Sequence, residues 1–283
     1  MDSAPRFTGA GAPLTALGLQ VSADYLSVSL AELWAVVEVE TRGCGFLPDR
    51  RPTILFERHV FSRKTQGRFD KSAPDISCPE PGGYDSGVAE YARLERALAL
   101  DARAALQSAS WGLGQVMGFN APLTLFGSPA QFVRRMMAGE GDQLYASVCF
   151  IWHDAGEYGL ADALRRHDWA AFARRYNGPD YRKNQYDEKL EAAYRRLSTQ
   201  GLPDLRVREL QVLLTYLGFE PGPVDGAVGP RTRVAVTRFL SAHHLHESRQ
   251  DNDDALLESL RARHAALPRN EAVPEKSEEV RRG

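Results

Sequence analysis

From residue 88 to residue 197, apolar side chains recur at helical spacing with only short breaks, which restricts this stretch to packed helices rather than a sheet. Tyr91, Leu94 and Leu98 make one stripe, and Leu144, Val148 and Ile151 make another that should stop near Gly156. Trp169, Phe172, Ala173 and Tyr176 form a third, closed by Asn177 and Gly178; Leu190, Ala193, Tyr194 and Leu197 form the last. Asp101 reads as the N-cap of a short helix reaching about Ser108, and Ser128 followed by Pro129 marks a further helix start. Residues 110–118, SWGLGQVMG, break the pattern with an apolar run holding three glycines, which lets backbones approach closely or leaves room for a ligand.

Upstream, residues 29–45 (SLAELWAVVEVETRGCG) read as one more amphipathic helix, begun by the capping box of Ser29 and Glu32 and ending in two glutamates and a Gly-flanked turn. At about 100° per residue, Leu26, Leu30, Leu33 and Val37 share a stripe. Glu40 falls roughly 40° from the centre of that stripe and Glu38 roughly 120° from it. Glu38 therefore faces water, while Glu40 is turned toward the packed side. A carboxyl held against apolar surface resists ionisation and stays protonated near neutral pH, which suits it to act as a general acid. Residues 1–22 are rich in Gly, Ala and Pro and should wrap the surface before a helix around residues 22–26. Residues 52–56, PTILF, read as a short strand that delivers Glu57 at its end. The stretch that follows, rich in Gly, Pro, Asp and Ser, reads as an extended loop region able to shape a groove.

With 283 residues and 43% hydrophobic content, the chain has enough apolar material for one large core and a second small one. A net charge of −2 and a pI near 6.4 argue against affinity drawn from nucleic-acid phosphates. Cys44, Cys78 and Cys149 are widely spaced and form no CxxC pair, so they read as reduced thiols. His243, His244 and His246 lack an acidic or Cys partner at zinc spacing, and no metal or other cofactor is expected. Cys149 and His153 lie one turn apart, but on a helix that reads as buried, which disfavours a thiol nucleophile. No stretch approaches the roughly 18 apolar residues of a membrane span, and the first twenty residues lack the layout of a secretory signal.

After a polar linker at residues 198–203, a helix over residues 205–217 turns Leu210, Leu213, Leu214 and Leu217 inward and ends at Gly218. A Pro/Gly loop leads to a second helix over about residues 231–243, and residues 253–267 give a third. Beyond Pro268 the chain is charged and poor in large apolar residues, so residues 268–283 are expected to be a disordered tail.

Three ordered motifs, VVEVETRGCGFLPDRRPTILFERHVF, SASWGLGQVMGFN and FARRYNGPDY, resemble the N-acetylmuramidase domain of phage endolysins, within the lysozyme superfamily. Glu40 with Thr41, Gly112–Leu113–Gly114–Gln115, and Tyr176–Asn177–Gly178 match that pattern in turn, with Thr41 where Ser is commoner. The C-terminal unit resembles the three-helix peptidoglycan-binding module through Leu210–Gln211, Gly218–Phe219, Asp225–Gly226, Gly229 and Thr232, although Leu240 follows Phe239 where the family often has Gln.

The resemblance implies a mainly α protein. A lysozyme-like α+β catalytic domain with a short β element would span residues 1–200, and a peptidoglycan-binding domain residues 201–267. It implies Glu40 as general acid, with Trp111 and Gln115 lining the sugar groove and Tyr176 and Asn177 closing it. It also implies that Asp225, Gly226 and Thr232 carry the binding pattern of the module. Cleavage of a β-1,4 sugar linkage needs a second group, and Glu57 is the candidate base, with Asp49 and Asp70 behind it. Without such a group the sugar's own hydroxyl would attack, as in a lytic transglycosylase. A non-catalytic wall-binding scaffold is the contrasting possibility, but one with no use for an acid on an apolar face. The expected partner is bacterial peptidoglycan, with no membrane insertion and a monomeric chain. Synthesis in the host cytoplasm and action on the wall would call for a holin.

Overall fold

The computed structural model describes residues 4–41, 44–154, 158–245 and 254–274. Helices dominate, as the apolar spacing predicts, and one small sheet interrupts them. The first helix is Ala16–Leu26, longer than the sequence suggested, because the Thr15 hydroxyl accepts the Gly18 N–H and Leu19, Ala23 and Leu26 all turn inward. The Leu30–Thr41 helix follows, capped as predicted: Glu32 accepts the Ser29 N–H, and the Ser29 hydroxyl accepts the Glu32 N–H at 3.2 Å. It packs on the Tyr186–Gln200 helix, which runs into the stretch read as linker.

Two readings of the next segment need correction. Residues 58–64, taken as loop, form the helix Arg58–Lys64; no side chain caps its start, so the sequence carries no start signal for it. The Gly-rich apolar run is a hairpin. Strand Ala109–Trp111 pairs antiparallel with Ile54–Phe56 on one side and with Val116–Met117 on the other, in the register Ile54 opposite Trp111 and Ser110 opposite Met117.

Ala89–Leu100 and Ala102–Gln107 are separated by Asp101, which accepts the Ala104 N–H at 3.0 Å. Pro129–Ala138 opens with a full capping box at Ser128. Glu140–His153 is the central buried helix, and the predicted stop at Gly156 lies outside the described residues. Leu160–Arg165 and Trp169–Tyr176 lead to the Tyr186–Gln200 helix.

Leu205–Tyr216, Pro230–Ala242 and Asp254–Ala265 form the C-terminal three-helix unit around Leu210, Leu213, Phe239, Leu256 and Leu260. Its core also takes in Phe46, from just beyond the Leu30–Thr41 helix. Residues 268–274 depart from the expected disorder: Asn270 donates its N–H to Thr8 at 2.8 Å, and Val273 joins the same core as Phe7, Tyr91 and Trp111. Among the described residues no helix is long and apolar enough to cross a membrane.

Candidate active site

Glu40 sits in the last turn of the Leu30–Thr41 helix, past a buried run from Glu32 to Val37. It is half-buried, and burial lifts its pKa from 4.5 to about 7, with a smaller opposing pull from the Asn177 side chain. Asn177 is the C-cap of Trp169–Tyr176 and donates from Nδ2 to Glu40 Oε1 at 2.7 Å. Its Oδ1 is buried with no hydrogen-bond partner. Tyr176 and Tyr186 both feel the Glu40 charge, which adds to burial in raising their phenols.

The turn at residues 112–115 is fastened from both sides of the acid. The Thr41 hydroxyl donates to Leu113 O at 3.1 Å, and the Tyr176 hydroxyl donates to Gly114 O at 2.7 Å. Gly112 sits at φ +68°, where an L side chain is strained, and a Cβ on Gly114 would collide with Ser147 Oγ. The two glycines therefore serve close approach between the hairpin and the Glu140–His153 helix. Beneath them, Gln143 accepts the Leu113 N–H at 2.8 Å and donates to Met136 O at 2.8 Å.

Several predicted site residues lie elsewhere in function or in space. Trp111 is fully buried, its indole N–H donating to Leu106 O at 3.2 Å and its ring 5.9 Å from Phe7; it is core, not groove lining. Gln115 is half-buried at φ +48°, but its amide is used within the hairpin: Oε1 accepts the Ser110 hydroxyl at 2.8 Å, and Nε2 reaches Gly112 O at 2.8 Å and Thr53 O at 3.2 Å. It braces the turn. Glu57 stands at the end of the first strand as predicted and precedes the unforeseen helix. Its carboxylate accepts the Tyr84 hydroxyl at 2.9 Å and lies 3.0 Å from His59 Nδ1. Burial and Asn177 account for the state of Glu40, and Glu57 is not among its causes. Asp49 is paired with Arg51 at 2.7 Å, and Asp70 accepts hydroxyls from Ser62 and Ser77. The Cys149 thiol is buried and pushed up in pKa, the reverse of what a nucleophile needs.

The C-terminal motif is mostly internal fastening. Buried Gln211 accepts the N–H groups of Asp225 and Gly226 at 3.1 and 2.9 Å and donates to Asp225 Oδ1 at 2.9 Å. Thr232 is 2% exposed and donates to Pro221 O at 3.1 Å. Gly226, at φ +72°, is pressed against Pro203 and Asp204. Of the three residues expected to carry the binding pattern, only Asp225 is exposed, because the motif's first task is to hold its own loop. No group of three or more His, Cys, Asp or Glu able to hold a metal occurs among the described residues, and His246 falls outside them.

The model of the N-acetylmuramidase family matches residues 29–198, more than half of the chain and the whole setting of Glu40, Asn177 and the hairpin. The chain belongs to the N-acetylmuramidase family. Residues 204–248 of this muramidase match the putative peptidoglycan binding domain, so it carries that domain C-terminal to the muramidase domain. Its fold is similar to the crystal structure of the Burkholderia AP3 phage endolysin, at 42% identity and a TM-score of 0.61 over 66% of this chain and 72% of that one. No curated protein matches the muramidase chain. Within the family setting, Tyr186 is the residue that sequence reading passed over: it starts a helix, breaks no periodicity, and is brought near Glu40 only by the packing of that helix on Leu30–Thr41.

The Asn177 hydrogen bond steadies the ionised form of Glu40, so its loss favours the protonated form. Asn177→Ala is expected to move the alkaline limb of the pH–rate profile to higher pH while lowering kcat. A limb that stays in place would show that Asn177 does not act on the acid.

Proposed function

We propose that this muramidase is a peptidoglycan-degrading endolysin that hydrolyses the β-1,4 bond between N-acetylmuramic acid and N-acetylglucosamine. The observation that carries the reading is Glu40, a carboxyl with its pKa lifted to about 7 and one oxygen held by Asn177. Protonated, Glu40 gives its proton to the glycosidic oxygen as the bond from that oxygen to the muramic acid C1 breaks. Positive charge then develops at C1 and the ring oxygen. Water adds at C1, and its proton passes to a base.

Glu57 is the candidate for that base, and an inverting reaction requires about 6.5–9.5 Å between the two carboxyl groups. A second reading has its own support. The Glu57 carboxylate accepts the Tyr84 hydroxyl at 2.9 Å and lies 3.0 Å from His59 Nδ1, so it is already engaged by two neighbours. A site with one working carboxyl suits attack at C1 by the 6-hydroxyl of the muramic acid itself, its proton passing to the Glu40 carboxylate left by the first step. This releases a 1,6-anhydro end as in a lytic transglycosylase.

Tyr176, Asn177 and Tyr186 surround the acid and form the floor of the sugar site in this reading. The C-terminal domain holds the enzyme on the wall and raises the local concentration of substrate. The chain works as a monomer without metal, is made in the host cytoplasm, and reaches the wall through a membrane opened by a holin.

Mass spectrometry of the soluble fragments from purified peptidoglycan tests these points. Reducing muramic acid ends released by wild type and not by Glu40→Gln are expected; anhydro ends would assign the transglycosylase outcome. Release of neither by a folded wild-type protein that still binds peptidoglycan would leave a wall-binding scaffold.

A further inference from the structure

Glu140 begins the central Glu140–His153 helix and is fully buried. Four donors converge on its carboxylate. Oε2 accepts Leu14 N–H at 2.8 Å and Arg208 Nη1 at 2.6 Å; Oε1 accepts Gly45 N–H at 2.9 Å and Arg208 Nη2 at 2.6 Å. The two-pronged geometry is the one in which a guanidinium binds a carboxylate most tightly. Arg208 is also fully buried, yet it belongs to Leu205–Tyr216, the first helix of the C-terminal domain. Among the described residues, the cation paired with this carboxylate is thus supplied by the C-terminal domain.

The position of the pair relates it to catalysis. The Arg208 guanidinium carbon lies 5.7 Å from the centre of the Trp34 ring, and Trp34 is on the acid-bearing helix. Gly45 lies five residues beyond Glu40 in the sequence. One helical turn from Glu140, Gln143 accepts the Leu113 N–H, and Leu113 O in turn accepts the Thr41 hydroxyl. A Cβ on Gly45 would overlap Gln143 Oε1, so the two clamps are in direct contact. Arg208 therefore acts on the Glu40 helix at both ends of its last two turns, through Trp34 within the helix and through Glu140, Gly45 and Gln143 beyond it.

A flexible tether gains its local concentration without any buried charge. Burying two opposite charges is costly unless their geometry and remaining hydrogen bonds are nearly complete. Here four donors meet the carboxylate, and the two backbone N–H groups among them, from Leu14 and Gly45, belong to the catalytic half of the molecule. The groups facing the pair are Cys44 and Tyr216, whose pKa values are pushed up by burial and by Glu140, together with Arg50 beside Tyr216. Neither Cys44 nor Tyr216 supplies a positive charge that would replace Arg208.

We propose that the C-terminal domain is a working part of the catalytic site, with Arg208 a positioning residue that sets the Glu40 helix and the 112–115 turn through Glu140. The proposal rests on the muramidase reading for its kinetic arm and stands apart from it in its exchange arm.

The test uses the full chain with Arg208→Gln and Arg208→Lys. Kinetics are measured on soluble glycan fragments stripped of peptide, which do not require wall attachment, and binding is measured by co-sedimentation with insoluble peptidoglycan. Arg208→Gln is expected to lower kcat on the soluble glycan at least tenfold, with KM within about twofold and co-sedimentation unchanged. Arg208→Lys, which keeps the charge without the second prong, is expected to recover part of that loss. A folded Arg208→Gln with wild-type kcat on soluble glycan, and a defect only on insoluble wall, would overturn the proposal and leave a tether. If Arg208→Gln does not fold, an unchanged kcat in folded Arg208→Lys overturns it equally.

Hydrogen exchange read by mass spectrometry needs no activity. Faster exchange at residues 38–45 and 112–115 in the variant is expected, and unchanged exchange there would sink the proposal. A wild type inactive on both substrates, with faster exchange in the variant, would defeat the muramidase reading while the coupling survives.

Discussion

Glu40→Gln is expected to lower turnover of peptidoglycan by about 10²–10⁴-fold, the usual contribution of a positioned general acid. Gln keeps the shape and can still face Asn177, but it has no proton to give the leaving oxygen. Steady-state release of reducing ends checks the size of the loss; a drop of less than about tenfold would mean that another group protonates the glycosidic oxygen. Because the folded-state pKa is about 7, wild-type activity should fall as pH rises through 7 and Glu40 ionises.

The same substitution should stabilise the protein, with a definite sign in pH. The folded pKa of Glu40 is raised above its ordinary 4.5, so between those values the folded state holds a proton that the unfolded state has lost. The contribution of that proton is fully present below pH 4.5 and is lost as pH climbs through about 7. At pH 8 the cost of ionising the buried carboxyl approaches about 3 kcal/mol, at about 1.4 kcal/mol per pKa unit. Gln avoids that cost. The gain in Tm of Glu40→Gln over wild type should therefore be larger at pH 8 than at pH 4.5, and an equal gain at both would contradict a buried, protonated Glu40.

Glu140→Ala should be the most damaging single change outside the acid. It leaves the Arg208 guanidinium buried without its carboxylate and removes the acceptor of the Leu14 and Gly45 N–H groups. Breaking a buried ion pair by deleting one partner costs about 3–5 kcal/mol, against a total stability of about 5–15 kcal/mol for a protein domain. The urea midpoint of unfolding measures this directly. A shift worth less than about 1 kcal/mol would mean that water or another side chain replaces the carboxylate at little cost. Cys44 and Tyr216, which already resist ionisation beside this pair, are not suited to do so.

What the sequence revealed and what it hid follow from the range of the interactions involved. The Leu30–Thr41 helix was legible because its start is a three-residue signal and its inward face repeats every turn, and the same period places Glu40 toward the packed side. The helices of the C-terminal unit were legible for the same reason. The hairpin was not, since residues 110–118 are mostly apolar and too short to show alternation; its first strand is fixed by a partner more than fifty residues away at Ile54–Phe56. Trp111 shows the limit most plainly. Its place beside a catalytic motif suggested the groove, but the pleat turns it toward Phe7 and the core. Asn177 was found through a motif, whereas its hydrogen bond to Glu40 joins residues 137 positions apart. Arg208 and Glu140, 68 positions apart, left no local trace of their pairing.

The pairing of Asn270 with Thr8 also governs when this molecule can first exist as a folded whole. Phe7 and Val273 enter one core, and Asn270 reaches Thr8 and Ala4 with its backbone and its side chain. Contacts between residues so distant in the chain form late, because closing a long loop costs entropy before any contact is gained. During synthesis the core around residue 7 must remain open on one side until residue 273 has emerged. A core closed in this way is completed from both ends of the described chain, so its last packing contacts depend on residues more than 260 positions away from Phe7.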